Sequence, residues 1–338
     1  MAKPAKKILN APRRAVTEMI DGLVLASDGR TRRLSGLDAI VKTDLADGRP
    51  ALLIGGGSGH EPLFHGFVGD NMGDGAACGQ FFAAPAPHII YETAKAVHRG
   101  KGILFLYGNY AGDNMNFDIA AEMLVDEGID VRTVRVADDV SAAPPERSHD
   151  RRGIAGDLLM IRIAGAAAAT MDSLDEVERV TRKAGGWVRS IGVAISAGSI
   201  PETGKPTFEL ADDEIEVGMG AHGEAGTVRQ KLVPADELAD QMIGRILDDL
   251  PFSAGDEVAL LINNLGATTM MEMLVVNRRI REVLGERDIH VHRTDVGTWL
   301  TVQEMAGFSI TLMKLDDELK RLLDMPCRSV GFSNWEGK

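Results

Sequence analysis

The feature that most constrains this chain is an apolar run that ends in glycine: Ala51-Leu52-Leu53-Ile54 leads directly into Gly55-Gly56-Gly57-Ser58-Gly59-His60-Glu61-Pro62. Consecutive apolar residues bounded by glycine read as a strand buried on both faces, and such a strand needs helices above and below it. The glycines predict a tight loop at the strand's carboxyl end. The unit recurs. Ile103 to Tyr107 predicts a second buried strand, Gly108-Asn109-Tyr110-Ala111-Gly112-Asp113 its loop, and residues 117–126 a helix that Gly128 ends. Val131 to Ala137 reads as a third strand, and helical spacing resumes from Ile154 to Ala169. Ser173-Leu174-Asp175-Glu176 is a capping box, starting a helix that runs to about Gly185-Gly186.

A second series begins at Val188. It comprises a strand at 191–195, an extended stretch at 208–219, a helix led by Pro234 and a strand at 258–262 that ends in Asn263-Asn264-Leu265-Gly266. A helix at 270–284, strands at 289–293 and 308–314, and a last helix from Asp316 complete it. The fold class expected is α/β and two-lobed, each lobe a mixed or mainly parallel sheet flanked by helices. Residues 1–187 form the first lobe, with the Gly-rich loop and Asp113; 188–319 form the second, with His222; 320–338 pack back on the first. A length of 338 residues suits two domains. Open α/β sheets bind ligands at the carboxyl ends of their parallel strands, so the Gly-rich loops are expected to share a site.

Charge and composition exclude several functions. With 37 Lys and Arg against 50 Asp and Glu, the chain repels phosphate backbones and anionic lipid, so neither nucleic acid nor membrane is an expected partner. The basic start, Met1 to Lys7, lacks the apolar stretch of a secretory signal, and no apolar run is long enough to span a bilayer. Cys78 and Cys327 stand far apart with no C-x-x-C partner, which removes a disulfide framework and a zinc cluster. A cytoplasmic setting is expected.

Three phosphate or nucleophile readings of the Gly-rich loop fail at His60. A P-loop needs lysine after its last glycine, a dinucleotide fingerprint needs glycine at 60, and a nucleophile elbow around Ser58 needs that same glycine. What remains is a plain tight turn, or a loop whose backbone meets a small polar ligand. A lone aspartate such as Asp113 is ordinarily a cap or turn residue. His222, in Val217-Gly218-Met219-Gly220-Ala221-His222-Gly223-Glu224, has glycine neighbours that let its ring approach another loop closely, whereas a solitary histidine is ordinarily a satisfied core residue. His290 and His292 share a strand face, and without a third ligand they read as an exposed pair; no metal site is expected.

Taken together, Gly55 to Pro62, Asn109-Tyr110-Ala111-Gly112-Asp113 with Asn116-Phe117, Gly220-Ala221-His222-Gly223-Glu224 and Asn263-Asn264-Leu265-Gly266-Ala267 resemble the dihydroxyacetone kinase family. Gly307 to Leu312 and Ser333-Asn334-Trp335 extend the likeness over nearly the whole chain, and it is to the substrate-binding K subunit. The resemblance implies that His222 adds through a ring nitrogen to a ketose carbonyl and holds it as a hemiaminal. It implies that His60 and Asp113 serve the hydroxyl that attacks phosphorus, and that Gly57, Ser58 and Gly59 hold the ketose hydroxyls. A neutral imidazole is a competent nucleophile near pH 7, and a carboxylate or histidine within reach of the hydroxyl meets the need for a general base. This chain shows no phosphate cradle, so it binds no cofactor itself; ATP or ADP with Mg²⁺ is expected on a nucleotide-binding L-type partner, or as bound ADP recharged by a phosphotransferase relay. A homodimer is implied as well.

One departure bears on the substrate. The family usually has a lysine before its Asn-Tyr, and here Gly108 follows Tyr107, which opens the choice between dihydroxyacetone and a four-carbon ketose such as erythrulose. Two rivals stay in view. The order Ser58, Asp113, His222 matches that of α/β-hydrolases, although His60 breaks the elbow. A regulatory subunit that senses ketose without phosphorylating it would keep the same pocket.

Overall fold

The computed structural model describes residues 6–335; residues 1–5 of the basic start and 336–338 of the terminal segment lie outside them. The described residues divide into two compact units, one made of 13–136, 157–186 and 317–335, the other of 6–12, 137–156 and 187–316. The chain therefore passes between units more than once, and residues 137–156, read from sequence as part of the first lobe, belong with His222.

The first unit contains β1 (Thr31–Arg33), β2 (Ala39–Lys42), β3 (Ala51–Ser58), the short β4 (Gly69–Asp70), β5 (Gly75–Phe81), β6 (Ile103–Gly108) and β7 (Val131–Val136). Its main sheet has the order β1-β2-β5-β3-β6-β7, in which β5, β3, β6 and β7 run parallel while β1 and β2 add an antiparallel edge. β3 is the apolar run that ends in glycine. It stands inside the sheet, and of its residues only Gly57 is not fully buried. The helix Pro87–Val97 starts with proline, whose missing N–H costs nothing in a first turn, and buries Ile90, Ala94 and Val97 on one face. These meet Leu53, Phe105, Phe117 and Leu124 in one core, each large apolar side chain contributing roughly 1.5–3 kcal/mol by leaving water.

The second unit contains β8 (Val188–Ser196), β9 (Glu214–Val217), β10 (Val228–Lys231), β11 (Glu257–Asn264), β12 (His290–Gly297) and β13 (Ala306–Leu315). Their order is β10-β9-β8-β13-β11-β12, and only β11 and β12 pair in parallel. The sheet is mixed but mainly antiparallel because β13 runs back between β8 and β11. The extended stretch at 208–219 shrinks to β9, which pairs antiparallel with β10, so His222 sits in the connection of a two-stranded ribbon. The Gly-rich loops of the first unit thus leave a parallel sheet at one edge, as expected, whereas the loop of His222 leaves an antiparallel pair. Helices Ala235–Asp249 and Met270–Glu286 cover this sheet with Leu238, Met242, Ile246, Met273, Ile280 and Leu284, and Thr269 with Glu272 closes a capping box on the second helix.

β14 (Arg328–Ser329) pairs antiparallel with β4. Asn71 donates to the carbonyl of Pro326 at 2.6 Å, Gly331 N–H donates to Gly66, and the buried Arg162 donates to the carbonyl of Leu323 while its guanidinium lies 4.7 Å from the Phe332 ring. Residues 317–335 are accordingly part of the Gly-rich loop's own unit. No helix among the described residues is long and apolar enough to cross a membrane.

Candidate functional site

In the first unit the glycines do two different jobs. Gly55 to Gly57 are still strand, and a Cβ on Gly56 would stand 2.3 Å from the Phe64 ring, so close packing is what excludes a side chain there. Gly59 turns the chain, with φ of +105°, a conformation that L-residues rarely adopt. Its N–H donates to Glu61 Oε1 at 2.8 Å. His60 comes out of this turn buried and stacked on Phe82, ring centroids 4.8 Å apart and 20° from coplanar. Ser58 is buried; its hydroxyl donates to the Gly79 carbonyl at 2.7 Å and lies 3.0 Å from His65 Nε2. With its proton given to Gly79, Ser58 accepts from the Nε2–H of His65. Burial lowers the His65 pKa, with Glu61 opposing, so that ring is neutral near pH 7. A serine held this way orders the loop and is poorly set up as a nucleophile, which counts against a hydrolase.

Asp113 lies inside the first turn of a helix, Ala111–Asp126, that begins six residues earlier than its apolar spacing predicts. Tyr110 at its N-cap has extended backbone, and an acidic residue in a first turn is favoured by the helix dipole. Asn116 donates to the carbonyl of Pro85 at 2.9 Å, and a Cβ on Gly112 would lie 3.5 Å from that of Ala84. A Cβ on Gly57 would lie 3.0 Å from Ala83 N. The Gly-rich loop and the Asp113 turn therefore border the same segment, 82–85, and the first unit brings Gly57, Ser58, Gly59, His60 and Asp113 to one region of its sheet edge.

Gly108 closes β6. A Cβ there would meet the Tyr110 ring at 3.3 Å and Asp157 Oδ2 at 3.4 Å, so the space left by a missing lysine is narrow and has a buried carboxylate on one side. Tyr107 faces the opposite way, as alternate strand residues do. It is buried, its ring stacks on Phe117 at 4.1 Å, its hydroxyl accepts from Arg135 Nε at 3.1 Å, and burial pushes its pKa up to about 12. Tyr107 thus lies away from the space beside Gly108.

In the second unit the connection from β9 to β10 folds on itself. Gly220 N–H donates to the Glu224 carbonyl at 2.9 Å and Gly223 N–H to Gly220 at 3.1 Å. His222 is about a third exposed. Its backbone N–H donates to Glu224 Oε2 at 2.8 Å, and its ring Nδ1 lies 3.3 Å from Glu224 Oε1. Partial burial pushes the Glu224 carboxyl up, but its contacts with His222 outweigh this and hold it at about 2. A carboxylate only accepts, so Nδ1 carries the proton and the ring's lone pair is on Nε2.

Behind Glu224 stands Arg152. Its Nη1 is 4.0 Å from Glu224 Oε2, its Nη2 donates to the Gly218 carbonyl at 3.1 Å, and both Nε and Nη2 donate to the buried Asp139, at 3.2 and 2.7 Å. Asp139 in turn accepts from the backbone and the hydroxyl of Ser141. Glu224 lies within the Gly220–Glu224 motif of the sequence, whereas Arg152 and Asp139 belong to no motif. Spacing alone offered a signal only for Glu224, two residues from His222; the other two are reached through the fold.

Among the described residues no three His, Cys, Asp or Glu side chains gather as a metal site; His290 and His292 are both exposed.

Comparison with known proteins adds the following. A Dak1 domain model matches residues 21–331. The chain is 45% identical over 325 residues to the dihydroxyacetone-binding subunit DhaK of PTS-dependent dihydroxyacetone kinase 2 from Listeria innocua, covering 95% of this chain and 97% of that protein. It is 40% identical to L-erythrulose 1-kinase from Mycolicibacterium smegmatis, covering 96% of this chain but 57% of that longer protein. The dihydroxyacetone kinase of C. freundii, solved with AMP-PNP and Mg²⁺, superposes with a TM-score of 0.90 at 31% identity, covering 98% of this chain and 61% of that one. A dihydroxyacetone kinase operon co-activator, Dha-DhaQ, superposes with a TM-score of 0.86 at 30% identity, covering 92% and 96%.

Proposed function

The chain belongs to the Dak1 domain family of kinases, and from that premise we propose that it holds a short ketose covalently on His222 for phosphorylation by a donor on a partner subunit. The observation that carries this reading is the bond between Glu224 and Nδ1 of His222. It puts the lone pair on Nε2, the atom that adds to a carbonyl carbon. As the N–C bond forms, the C=O π pair moves to oxygen, which takes a proton, and the ring, now cationic, gives its Nδ1 proton to Glu224 or through it to water. The product is a neutral hemiaminal, and only a carbonyl compound is captured.

His60 and Asp113 act on the hydroxyl that attacks phosphorus, Asp113 as base or orienter and His60 as proton acceptor or hydrogen-bond partner. The backbone of Gly57, Ser58 and Gly59 holds the other hydroxyls. The transferred phosphoryl group and the Mg²⁺ that neutralises it come on a nucleotide-bearing L-type partner, with ATP or a recharged ADP as donor. The protein works in the cytoplasm as a homodimer. Dihydroxyacetone and erythrulose are the candidate ketoses, named by the relatives.

The likeness to an operon co-activator supports a second reading, a ketose sensor without catalysis. Both readings bind ketose; only one transfers phosphate. The purified chain, given ¹³C-carbonyl dihydroxyacetone or erythrulose, is expected to form an adduct whose carbonyl carbon moves to the hemiaminal region, and to phosphorylate it once an L-type partner with ATP, or the relay, is added. An adduct with no phosphorylation under either donor selects the sensor. Absence of any adduct removes the covalent mechanism.

A further inference from the structure

Arg152 touches the His222 loop from behind and has no part in the chemistry just described. Its guanidinium is gripped on one side by Asp139, which is 1% exposed, and faces Glu224 and the Gly218 carbonyl on the other. The Arg152 and Glu224 side chains meet over Gly220. A Cβ on Gly220 would lie 2.2 Å from Glu224 Oε2 and 2.4 Å from Arg152 Nη1, so both side chains pass through the volume a side chain at 220 would fill. The Glu224 side chain is about a third exposed, so it could turn to water, yet both its oxygens face His222. The loop's own backbone bonds, from Gly220 to Glu224 and Gly223 to Gly220, fix the Glu224 backbone, and of its carboxylate the loop's main chain holds Oε2 alone, through the His222 N–H.

We propose that Arg152, clamped by Asp139, is a positioning residue that turns Glu224 toward His222 and thereby sets which ring nitrogen carries the proton. The cation lies on the side of Oε2, the oxygen that also accepts the His222 backbone N–H, so Oε1 is presented to Nδ1. A partner that orients a functional histidine through its other nitrogen fixes tautomer and ring angle together. All members of the chain Asp139, Arg152, Glu224, His222 lie in one unit, so the arrangement exists before any ketose binds. The inference deepens the reading of His222 as nucleophile, and its first readout does not depend on that reading.

The test is ¹⁵N NMR of the His222 ring in the ligand-free protein, at a pH where the ring is neutral, for wild type, Arg152→Gln and Arg152→Lys. The wild type should show mainly the Nδ1–H form. Arg152→Gln should lose that preference, with a roughly tenfold fall in the rate of ¹³C-ketose adduct formation, and Arg152→Lys should restore part of both. Should Arg152→Gln fail to fold because Asp139 is left as a buried lone charge, the double variant Asp139→Asn with Arg152→Gln removes both charges and is expected to behave alike. A wild-type tautomer ratio in the folded Gln or double variant overturns the proposal, as does a wild type that is mainly Nε2–H. A tautomer shift in a protein that forms no ketose adduct at all supports the positioning role and overturns the covalent function instead.

Discussion

Replacing Gly220 by alanine is the most direct way to probe the His222 loop without removing any functional group. Gly220 does not have a positive φ, so alanine carries no backbone penalty there, and the whole effect comes from the added methyl. That methyl would stand 2.2 Å from Glu224 Oε2, 2.4 Å from Arg152 Nη1 and 2.8 Å from Glu224 Cδ. Ordinary contact is about 3.4 Å or more, so the carboxylate must retreat by about 1 Å. The 2.8 Å bond from His222 N–H to Oε2 does not survive such a shift. The neighbours are the ends of flexible side chains and can move, so the cost is that of the bond lost, and a hydrogen bond to a charged group is worth about 1.5–3 kcal/mol. At about 1.4 kcal/mol per factor of ten, adduct formation should fall about ten- to hundredfold in a protein that still folds. Gly223→Ala is the control. Its φ of +85° makes alanine strained wherever it points, so it should lower stability through the backbone while touching neither Glu224 nor Arg152. Adduct kinetics by ¹³C NMR, with thermal unfolding followed by circular dichroism, measure the two effects separately. Wild-type adduct kinetics in Gly220→Ala would refute the reasoning, because that loop would then have room the distances deny it.

Other outcomes follow from the same geometry. His222→Ala should abolish ketose phosphorylation with an unchanged circular dichroism spectrum, since a loop residue contributes little core; turnover by the folded variant ends the covalent mechanism. Asp113→Asn should leave the ¹³C adduct in place while lowering kcat of the reconstituted kinase by about 10²-fold or more, and equal loss of both would move Asp113 from catalysis to binding. His65 has a folded pKa below its ordinary 6.5, so as pH drops below that value the unfolded chain takes the proton first and stability falls. Urea titrations at pH 7 and pH 5 should show a smaller pH loss for His65→Gln than for wild type, and equal losses would mean that His65 is not buried neutral. Gly108→Lys asks the Tyr110 ring to give by a few tenths of an ångström and adds a cation beside Asp157; kcat/KM should shift toward dihydroxyacetone over erythrulose, and an unmoved ratio would detach Gly108 from substrate choice.

Much of this was legible in the sequence, and the limits have physical causes. β3 and β6 are visible because both faces are buried and the apolar runs are unbroken, and the helix expected at 270–284 because its apolar spacing is regular; the structure extends it to Glu286. β5 escaped because Gly75-Ala76-Ala77-Cys78-Gly79 fills tight space with small residues and has no hydrophobic signature. Asp113 reads as a loop residue because the first turn of its helix is built of small and polar residues that are at most partly buried, and periodicity reports only the apolar buried part of a helix. The second sheet takes the mixed alternative, and how much of it is antiparallel is not legible, because strand direction depends on where β13 returns and no local pattern encodes that. His60, Asp113 and His222 stood out through their glycine neighbours. Arg152 and Asp139 lie among ordinary charged residues and Arg152 meets Glu224 far along the chain, while His65 sits in an apolar stretch and reads as a core histidine; only the fold makes them conspicuous.

The return of residues 317–335 to the first unit has a consequence for the order in which this protein can be made. β3 and its Gly-rich loop leave the ribosome early, yet their neighbours at 66–71 are completed by β14 and by the Pro326 carbonyl, which are synthesised hundreds of residues later. Until then the second unit, whose strands are all translated before residue 317, can close around its own core, while the first waits with that side open. The half that appears first is finished last, and a chain stopped short of about residue 317 would have every residue of the Gly-rich loop and still lack the segment that packs behind it.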